Sequence, residues 1–249
     1  PSRRVRRVTR PGLPTRGHHV FVAPFGDADR VVVDGDEGHH LAGVLRVRAG
    51  QPLSLADNTG AVFAAEVEAV DRRSVTVRIG QRYHLARPAP SLCVVQSLPK
   101  GKKMEEVVQR LTEVGVDRIR PVVSDRTVKR PDGKADRLQE RWEAIARSAA
   151  QQSRRPRLPV IDPIGVWPVE GAVGVVLWEE ATTSLSEAVR ALPDAEEIVV
   201  AVGPEGGFGP SEVQASGLTP CALGSTILRT ETAGVVGASL VAHLLDRMG

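Results

Sequence analysis

From residue 92 to its end this sequence alternates short apolar runs with segments of helical period, and few folds accommodate that order. Residues 92–95 (Leu-Cys-Val-Val), 118–123, 173–178 and 198–202 read as buried strands. Between them Met104, Val107, Val108 and Leu111 recur at helical spacing, as do Leu138, Trp142, Ile145 and Ala149, and 184–192 reads as a third helix. Runs that are apolar at every position belong to strands covered on both faces. Their alternation with helices means a mostly parallel sheet with helices packed on it. Gly115 is placed to stop the first helix and Pro210 to open a short one over 211–216. A last helix is expected from about Ala233, with Val236, Leu240, Val241 and Leu244 on its apolar side.

Residues 20–85 follow another pattern. Short strands over 31–33, 52–56, 62–67 and 74–79 are separated by turn signals, with Asp57-Asn58-Thr59-Gly60 as a hairpin turn. Strands of this length and spacing predict a small barrel, with one short helix over 39–46. Ala86-Arg87-Pro88-Ala89-Pro90 is the best linker in the chain. The expected division is therefore a basic extension over 1–18, a β-barrel domain over 19–86 and an α/β domain over 90–249.

Aromatic residues make up only 3% of the chain, so both cores must be built from Val, Leu, Ala and Ile. No apolar run approaches the ~20 residues that span a bilayer, and no signal segment is legible. Cys93 and Cys221 are far apart in apolar surroundings and read as small buried hydrophobes of a reducing compartment. A cytoplasmic protein is expected, without membrane or metal. Net charge is +3, but basic residues cluster: Arg3, Arg4, Arg6, Arg7, Arg10 and Arg16; Lys100, Lys102 and Lys103; Arg147, Arg154, Arg155 and Arg157. Such clusters can hold phosphates on a nearly neutral molecule. For 1–16 a flexible tail is the simpler reading, since Pro11-Gly12-Leu13-Pro14 prevents a continuous helix.

The apolar run 198–202 empties into Gly203-Pro204-Glu205-Gly206-Gly207-Phe208-Gly209. Glycines at the carboxyl end of a strand let main-chain groups approach a ligand where α/β sheets usually bind one. The spacing is that of neither a phosphate loop nor a dinucleotide fingerprint, and a ligand-free tight turn explains it equally well. A second loop, Leu223-Gly224-Ser225-Thr226-Ile227-Leu228-Arg229-Thr230-Glu231-Thr232-Ala233, sets a cation and an acid at a helix entrance. Here Arg229 is either a ligand contact or a solvated cation, and Thr232 a ligand contact or a helix cap.

Four strings together resemble the RsmE family, bacterial methyltransferases of the SPOUT class that act on small-subunit ribosomal RNA. They are GPEGGF, LGSTILRTETA, LPKGKKMEEVVQRLTEVGV and RWEAIARSAAQQSRRPRLP. HHLAGVLRVRAG resembles that family's PUA-like RNA-binding domain. The resemblance runs from about residue 20 to the end; the arginines of 1–18 extend beyond it. It implies a C-terminal α/β domain knotted as a trefoil, a homodimer, and methylation of N3 of one uridine in 16S rRNA, position 1498 in that family. It implies S-adenosyl-L-methionine held by Leu177, Trp178 and Glu179, by Gly203, Pro204, Glu205, Gly206 and Gly207, and by Leu223, Gly224, Ile227, Leu228, Thr230, Glu231, Thr232 and Ala233.

Uracil N3 must lose its proton at or before attack, and the charge then spreads onto O2 and O4. A positioned cation favours that anion, which makes Arg229 the candidate catalytic residue. No histidine lies in either loop. Glu205 and Glu231 are candidate proton acceptors, ranked below a role in organising the loops or pairing with Arg229. His40, Arg46, Lys100, Lys102, Arg154 and Arg155 are the candidate RNA contacts, though for His40 a structural role ranks above RNA contact. Two rival readings remain at this level: a SPOUT enzyme with another RNA target, and an RNA-binding module whose enzyme domain is inactive.

Overall fold

The structure, a computed structural model, describes residues 13–128, 130–131 and 133–247. The arginines at 3, 4, 6, 7 and 10 lie outside the described residues. The chain divides into two compact units. The first takes in the chain up to Arg87 together with Ala150–Leu158, and the second Pro88–Ala149 together with Pro159 onward.

The first unit contains β1 (His18–Phe21), β2 (Arg30–Val33), α1 (Gly35–His39), a π-helical turn (His40–Val44), β3 (Pro52–Ala56), β4 (Ala61–Val70) and β5 (Val75–His84). Its sheet runs β1-β3-β4-β5-β2, with β1 parallel to β3 and the other neighbours antiparallel. Alternate residues of these strands face one way. Val20, Leu53, Leu55, Phe63, Val67, Val75 and Val77 thereby make one core, closed by Leu41 and Val47. The β3–β4 turn forms at the expected place: Asp57 Oδ1 accepts from the Thr59 N–H and hydroxyl, with Asn58 at φ 63°. The helix expected over 39–46 is instead two pieces. Beyond α1 the Leu45 N–H reaches back to His40 O and the Val47 N–H to Leu41 O. This widened turn buries Leu41 completely and leaves Arg46 outside it at φ 49°.

Residues 150–158, which the sequence placed with the α/β domain, count with this unit. The His19 ring joins the Ser54 hydroxyl (2.8 Å) to the Arg155 carbonyl (2.9 Å). A carbonyl only accepts, so Nε2 carries the proton and Nδ1 takes the Ser54 hydroxyl. Arg157 donates to the carbonyls of Thr59 and Leu85, and the Leu158 N–H to Asn58 Oδ1. Gly60 opens the seat for that guanidinium: a Cβ there would fall 1.8 Å from Arg157 Nη2.

The second unit contains β6 (Ser91–Ser97), α2 (Lys103–Glu113), β7 (Arg118–Val123), α3 (Ala135–Gln152, of which residues from Ala150 on count with the first unit), β8 (Val160–Ile161), β9 (Gly165–Val166), β10 (Gly174–Leu177), α4 (Leu185–Arg190), β11 (Glu197–Val202), α5 (Pro210–Ser216), β12 (Thr219–Cys221) and α6 (Thr230–Leu244). All strand pairs are parallel, in the order β12-β10-β11-β6-β7-β8 with β9 also on β7. Leu92, Val94, Val175, Ile198, Val200 and Val202 face a core shared with residues of α2, α3, α4 and α6. Their neighbours Cys93, Val95, Val176, Val199 and Ala201 face the other side, against Trp167, Phe208 and Val213 of α5. This two-sided burial is why the strands read as unbroken apolar runs. Pro121 sits in β7 where β8 pairs only residues 118–119 and β9 only 122–123, so its missing N–H leaves no ladder partner waiting.

Two expectations are corrected. The last helix begins at Thr230, three residues before Ala233, because the Arg229 carbonyl already accepts the N–H groups of Thr232 and Ala233. Thr232 is therefore not its cap; Arg229 occupies that position, through its main chain alone. Helix α4 is shorter than expected and is opened by Ser184, which forms a capping box with Glu187.

Candidate functional site

The register lines up the carboxyl ends of the second unit's strands. Cys221 pairs with Leu177, Leu177 with Val202, Val202 with Gln96 and Gln96 with Pro121. The loops leaving β12, β10, β11 and β6 therefore start from one row on one edge of the sheet. This is where an open α/β sheet places its ligand.

The loop after β11 is a tight turn, closed by a bond from the Gly207 N–H to Pro204 O (2.9 Å). Gly203 packs against the returning chain, and a Cβ there would meet Gly207 C at 2.8 Å. Gly207 has φ 65°, and a Cβ on it would stand 3.1 Å from Glu179 Oε1 of the loop after β10. At Gly206 the nearest atom to an added Cβ is Arg126 Cδ at 3.4 Å. The conformational demand for glycine is therefore at 203 and 207 rather than 206.

The start of α6 is tied to this turn. The fully buried Gln96 donates to the Thr230 hydroxyl (2.9 Å), which donates to Gly203 O (2.5 Å). Gly234 and Gly237 let α6 lie close on the row: added Cβ atoms would come 2.9 Å from Gln96 Oε1 and 2.8 Å from Leu177 Cδ1. Glu205 and Glu231 do not pair with Arg229. Both face Lys103, whose Nζ stands 3.1 Å from Glu205 Oε1 and 3.3 Å from the buried Glu231 Oε2. The second contact is an ion pair without hydrogen-bond alignment. Glu205 also accepts from the Lys100 N–H (3.1 Å). Burial pushes the Glu205 carboxyl up, but backbone N–H bonds and the Lys103 ammonium outweigh it and leave the acid below its usual range. The Glu205 bond in turn raises Lys103.

Arg229 is exposed at the α6 N-terminus, and its guanidinium makes no hydrogen bond or ion pair among the described residues. Ile227 is 86% exposed. Leu223 and Gly224 line a groove of about 260 Å³ with Thr182–Ser186, Ala222 and Leu240; Leu228, Trp178, Thr232 and Ala233 are half-buried. Pro204 is buried. Of the RNA candidates, Lys100 and Lys102 are exposed in the loop after β6. In the first unit His40 and Arg154 line one pocket, Arg46 is exposed, and Arg155 presents its carbonyl to His19.

Several residues at this edge were not singled out from the sequence. Arg126 donates to Gly206 O (2.7 Å). Its loop is held by a buried hydroxyl cluster, with Ser97 Oγ 2.6 Å from Ser124 Oγ and 3.1 Å from Thr127 Oγ1. The Glu212 carboxylate accepts the N–H groups of Asp125 and Gly209, both at 2.9 Å. Gln96 did leave a signal, a polar side chain ending an apolar strand run. Arg126 left none, because its contact lies 80 residues away in the chain. Among the described residues no group of three His, Cys, Asp or Glu could hold a metal, and no helix is long and apolar enough to cross a membrane.

Comparison with known proteins joins this edge to a family. An RNA methyltransferase domain matches residues 87–242 and an RNA methyltransferase PUA domain residues 33–80. The chain is 37% identical over 230 residues to ribosomal RNA small subunit methyltransferase E of Mycobacterium bovis, covering 87% of each. It is 31% identical over 234 residues to the Bacillus subtilis protein of that name, covering 87% of this chain and 91% of the other. Among solved structures it resembles the ribosomal RNA small subunit methyltransferase E from Neisseria gonorrhoeae bound to S-adenosyl methionine. That match has a TM-score of 0.80 and 26% identity, over 91% of this chain and 97% of that one.

Proposed function

The chain belongs to the ribosomal RNA small subunit methyltransferase E family, and on that premise we propose that it methylates 16S rRNA in the small ribosomal subunit, at N3 of the uridine numbered 1498 in that family. The methyl donor in this reading is S-adenosyl-L-methionine, the ligand of the Neisseria gonorrhoeae relative. The residues here fit such a group. Gly203 and Gly207 hold a tight turn whose main chain stands at the aligned edge, Leu223 and Gly224 open onto a groove, and Glu231 Oε2 is a buried acceptor without an aligned donor. Leu177, Trp178, Glu179, Gly203–Gly207 and the loop 223–233 would hold it. Bound there, it supplies a methyl group on a positively charged sulfur.

The remaining work falls to the protein. Uracil N3 becomes nucleophilic when its proton leaves and the charge moves to O2 and O4. A fixed guanidinium lowers the energy of that anion. Arg229 fits this role because its donors are unspent and its backbone is fixed by the first turn of α6 and, one residue on, by Thr230 on Gly203. That unspent cation at the aligned edge carries the proposal. The lowered pKa of Glu205 and its bonds to Lys100 and Lys103 suit a loop organiser rather than a proton acceptor. Alignment of N3 behind the methyl group supplies the rest of the rate.

The same reading includes a trefoil knot, a homodimer and a cytoplasmic site of action. The knot is supported by the chain's return from the edge strand β12 to Gln96 and Gly203 at the middle of the sheet. The test replaces Arg229 by Ala and by Lys and measures methyl transfer to isolated small subunits separately from cofactor affinity. Loss of turnover with cofactor affinity retained is the expected result; unchanged turnover removes Arg229 from the mechanism. Mapping the methylated base in the same product tests the N3 assignment.

A further inference from the structure

The first unit carries a concave site that methyl transfer does not use. It has a volume of about 290 Å³, at the small end of the range for ligand pockets. Val20 and Leu45 give it an apolar floor, and His18, His40, Gln152 and Arg154 give it a polar rim. Among the described residues no carboxylate lines it. The Glu37 carboxylate accepts from Gln151 Nε2 at 2.6 Å. The rim can therefore donate to an anion, while the floor suits a flat apolar face.

Two backbone irregularities converge on this rim from opposite ends of the unit's sequence. His40 opens the π-helical turn, a geometry found mostly at functional sites. Arg154 is held at φ 54°, a conformation that glycine adopts freely and arginine only under constraint. Its guanidinium is fixed by donation to the carbonyls of Pro14 and Gly17. Of its five N–H donors these bonds engage two, so others remain to meet a ligand. Strain of this kind persists where the surrounding structure over-determines it, commonly at a ligand clamp.

We propose that this pocket seats one nucleotide of the RNA substrate, its base on Val20 and Leu45 and its phosphate against Arg154 and His40. The inference rests on the RNA-methylating function proposed above and adds a nucleotide subsite on the first unit. It makes Arg154 a ligand contact as well as a structural one.

The test uses the full chain, a 16S rRNA fragment containing the target uridine, and three small probes: uridine 5′-monophosphate, uridine and inorganic phosphate. The monophosphate should bind more tightly than either part alone and shift the amide resonances of Val20 and Leu45. Arg154→Gly relieves the backbone strain while removing the cation, so the fold survives. It should weaken RNA binding roughly five- to tenfold and make the slope of log affinity against log salt shallower by about one. His40→Ala should weaken binding without changing that slope. Both should keep wild-type affinity for S-adenosylmethionine. RNA affinities within twofold of wild type, shifts confined to other residues, or a parallel loss of cofactor affinity would each overturn the subsite. If wild-type protein leaves 16S rRNA unmethylated while Arg154→Gly still loses RNA affinity, the functional reading fails and the subsite stands.

Discussion

The ammonium of Lys103 and the carboxylate of Glu205 stand 3.1 Å apart, and that contact fastens the start of α2 to the glycine turn after β11. The same Nζ lies 3.3 Å from Glu231 in the first turn of α6. Lys103 therefore joins three chain segments at the aligned edge. Lys103→Met should weaken cofactor binding roughly fivefold, since it leaves Glu231 buried without a countercharge. Lys103→Arg should recover most of that loss. Calorimetric titration with S-adenosylhomocysteine measures both, and equal affinities for Met and wild type would show that the contact is incidental.

Glu205 gives this fastening a pH dependence of known sign. Its folded-state pKa lies below the ordinary carboxyl value of 4.5 despite burial, because N–H groups and Lys103 favour the charged form. A depressed carboxyl stabilises the fold above its unfolded value and stops doing so as pH falls through its folded one. The contribution of Glu205 to fold stability should thus be constant from about pH 8 to 5.5 and fade below about pH 4.5. Glu205→Gln should lose most of that acid limb. An identical acid limb in the variant assigns it to other groups.

The three glycines of the turn should separate cleanly. Gly203→Ala drives a Cβ to 2.8 Å from Gly207 C, and Gly207→Ala forces φ 65° on a side-chain residue while crowding Glu179. Each should destabilise the turn by about 1–3 kcal/mol and lower cofactor affinity at least tenfold. Gly206→Ala meets only the flexible Arg126 side chain at 3.4 Å and should bind nearly normally. Equal losses at all three positions would place the ligand against the Gly206 Cα itself.

These contrasts mark where the sequence was legible. Strands β6, β10 and β11 announced themselves because both faces are buried, β7 by its Ile119 and Val122, and Pro210 and Gly115 bounded helices by local chemistry. The two- and three-residue strands β8, β9 and β12 left no periodic signal, and β12 contains Pro220. The early start of α6 was hidden because Thr230 and Glu231 look like loop residues until Gly203 and Lys103 are set beside them. Likewise the Arg157 and Leu158 bonds to residues 59, 85 and 58 depend on pairings 72 to 100 residues apart, which no local pattern encodes. Element boundaries set by local motifs were readable; partners brought by topology were not.

Cys93 and Cys221 should be chemically silent in the native protein. Both are fully buried, and burial pushes each thiol up to about 12. At pH 8 that leaves a thiolate fraction on the order of 0.0001. Ellman's reagent should therefore titrate neither over minutes, and both once guanidinium is added. Rapid native labelling of either would mean that its strand opens readily.

His19 should make the first unit acid-sensitive near neutrality. Burial lowers its pKa from 6.5, opposed by its bond to the Arg155 carbonyl and reinforced by the Arg154 cation. The unfolded ring takes up a proton that the folded one resists, so stability is complete above about pH 6.5 and declines as pH falls through the lower folded value. Protonation also removes the acceptor that Nδ1 offers to Ser54. His19→Gln keeps one donor and one acceptor on the same side chain without titrating. Hydrogen exchange at the Val20 and Leu55 amides, corrected for intrinsic rates, should show full protection above about pH 6.5 and lose it below that pH in the wild type. That loss should be smaller in His19→Gln, and an equal loss in both would place the titrating group elsewhere in the unit.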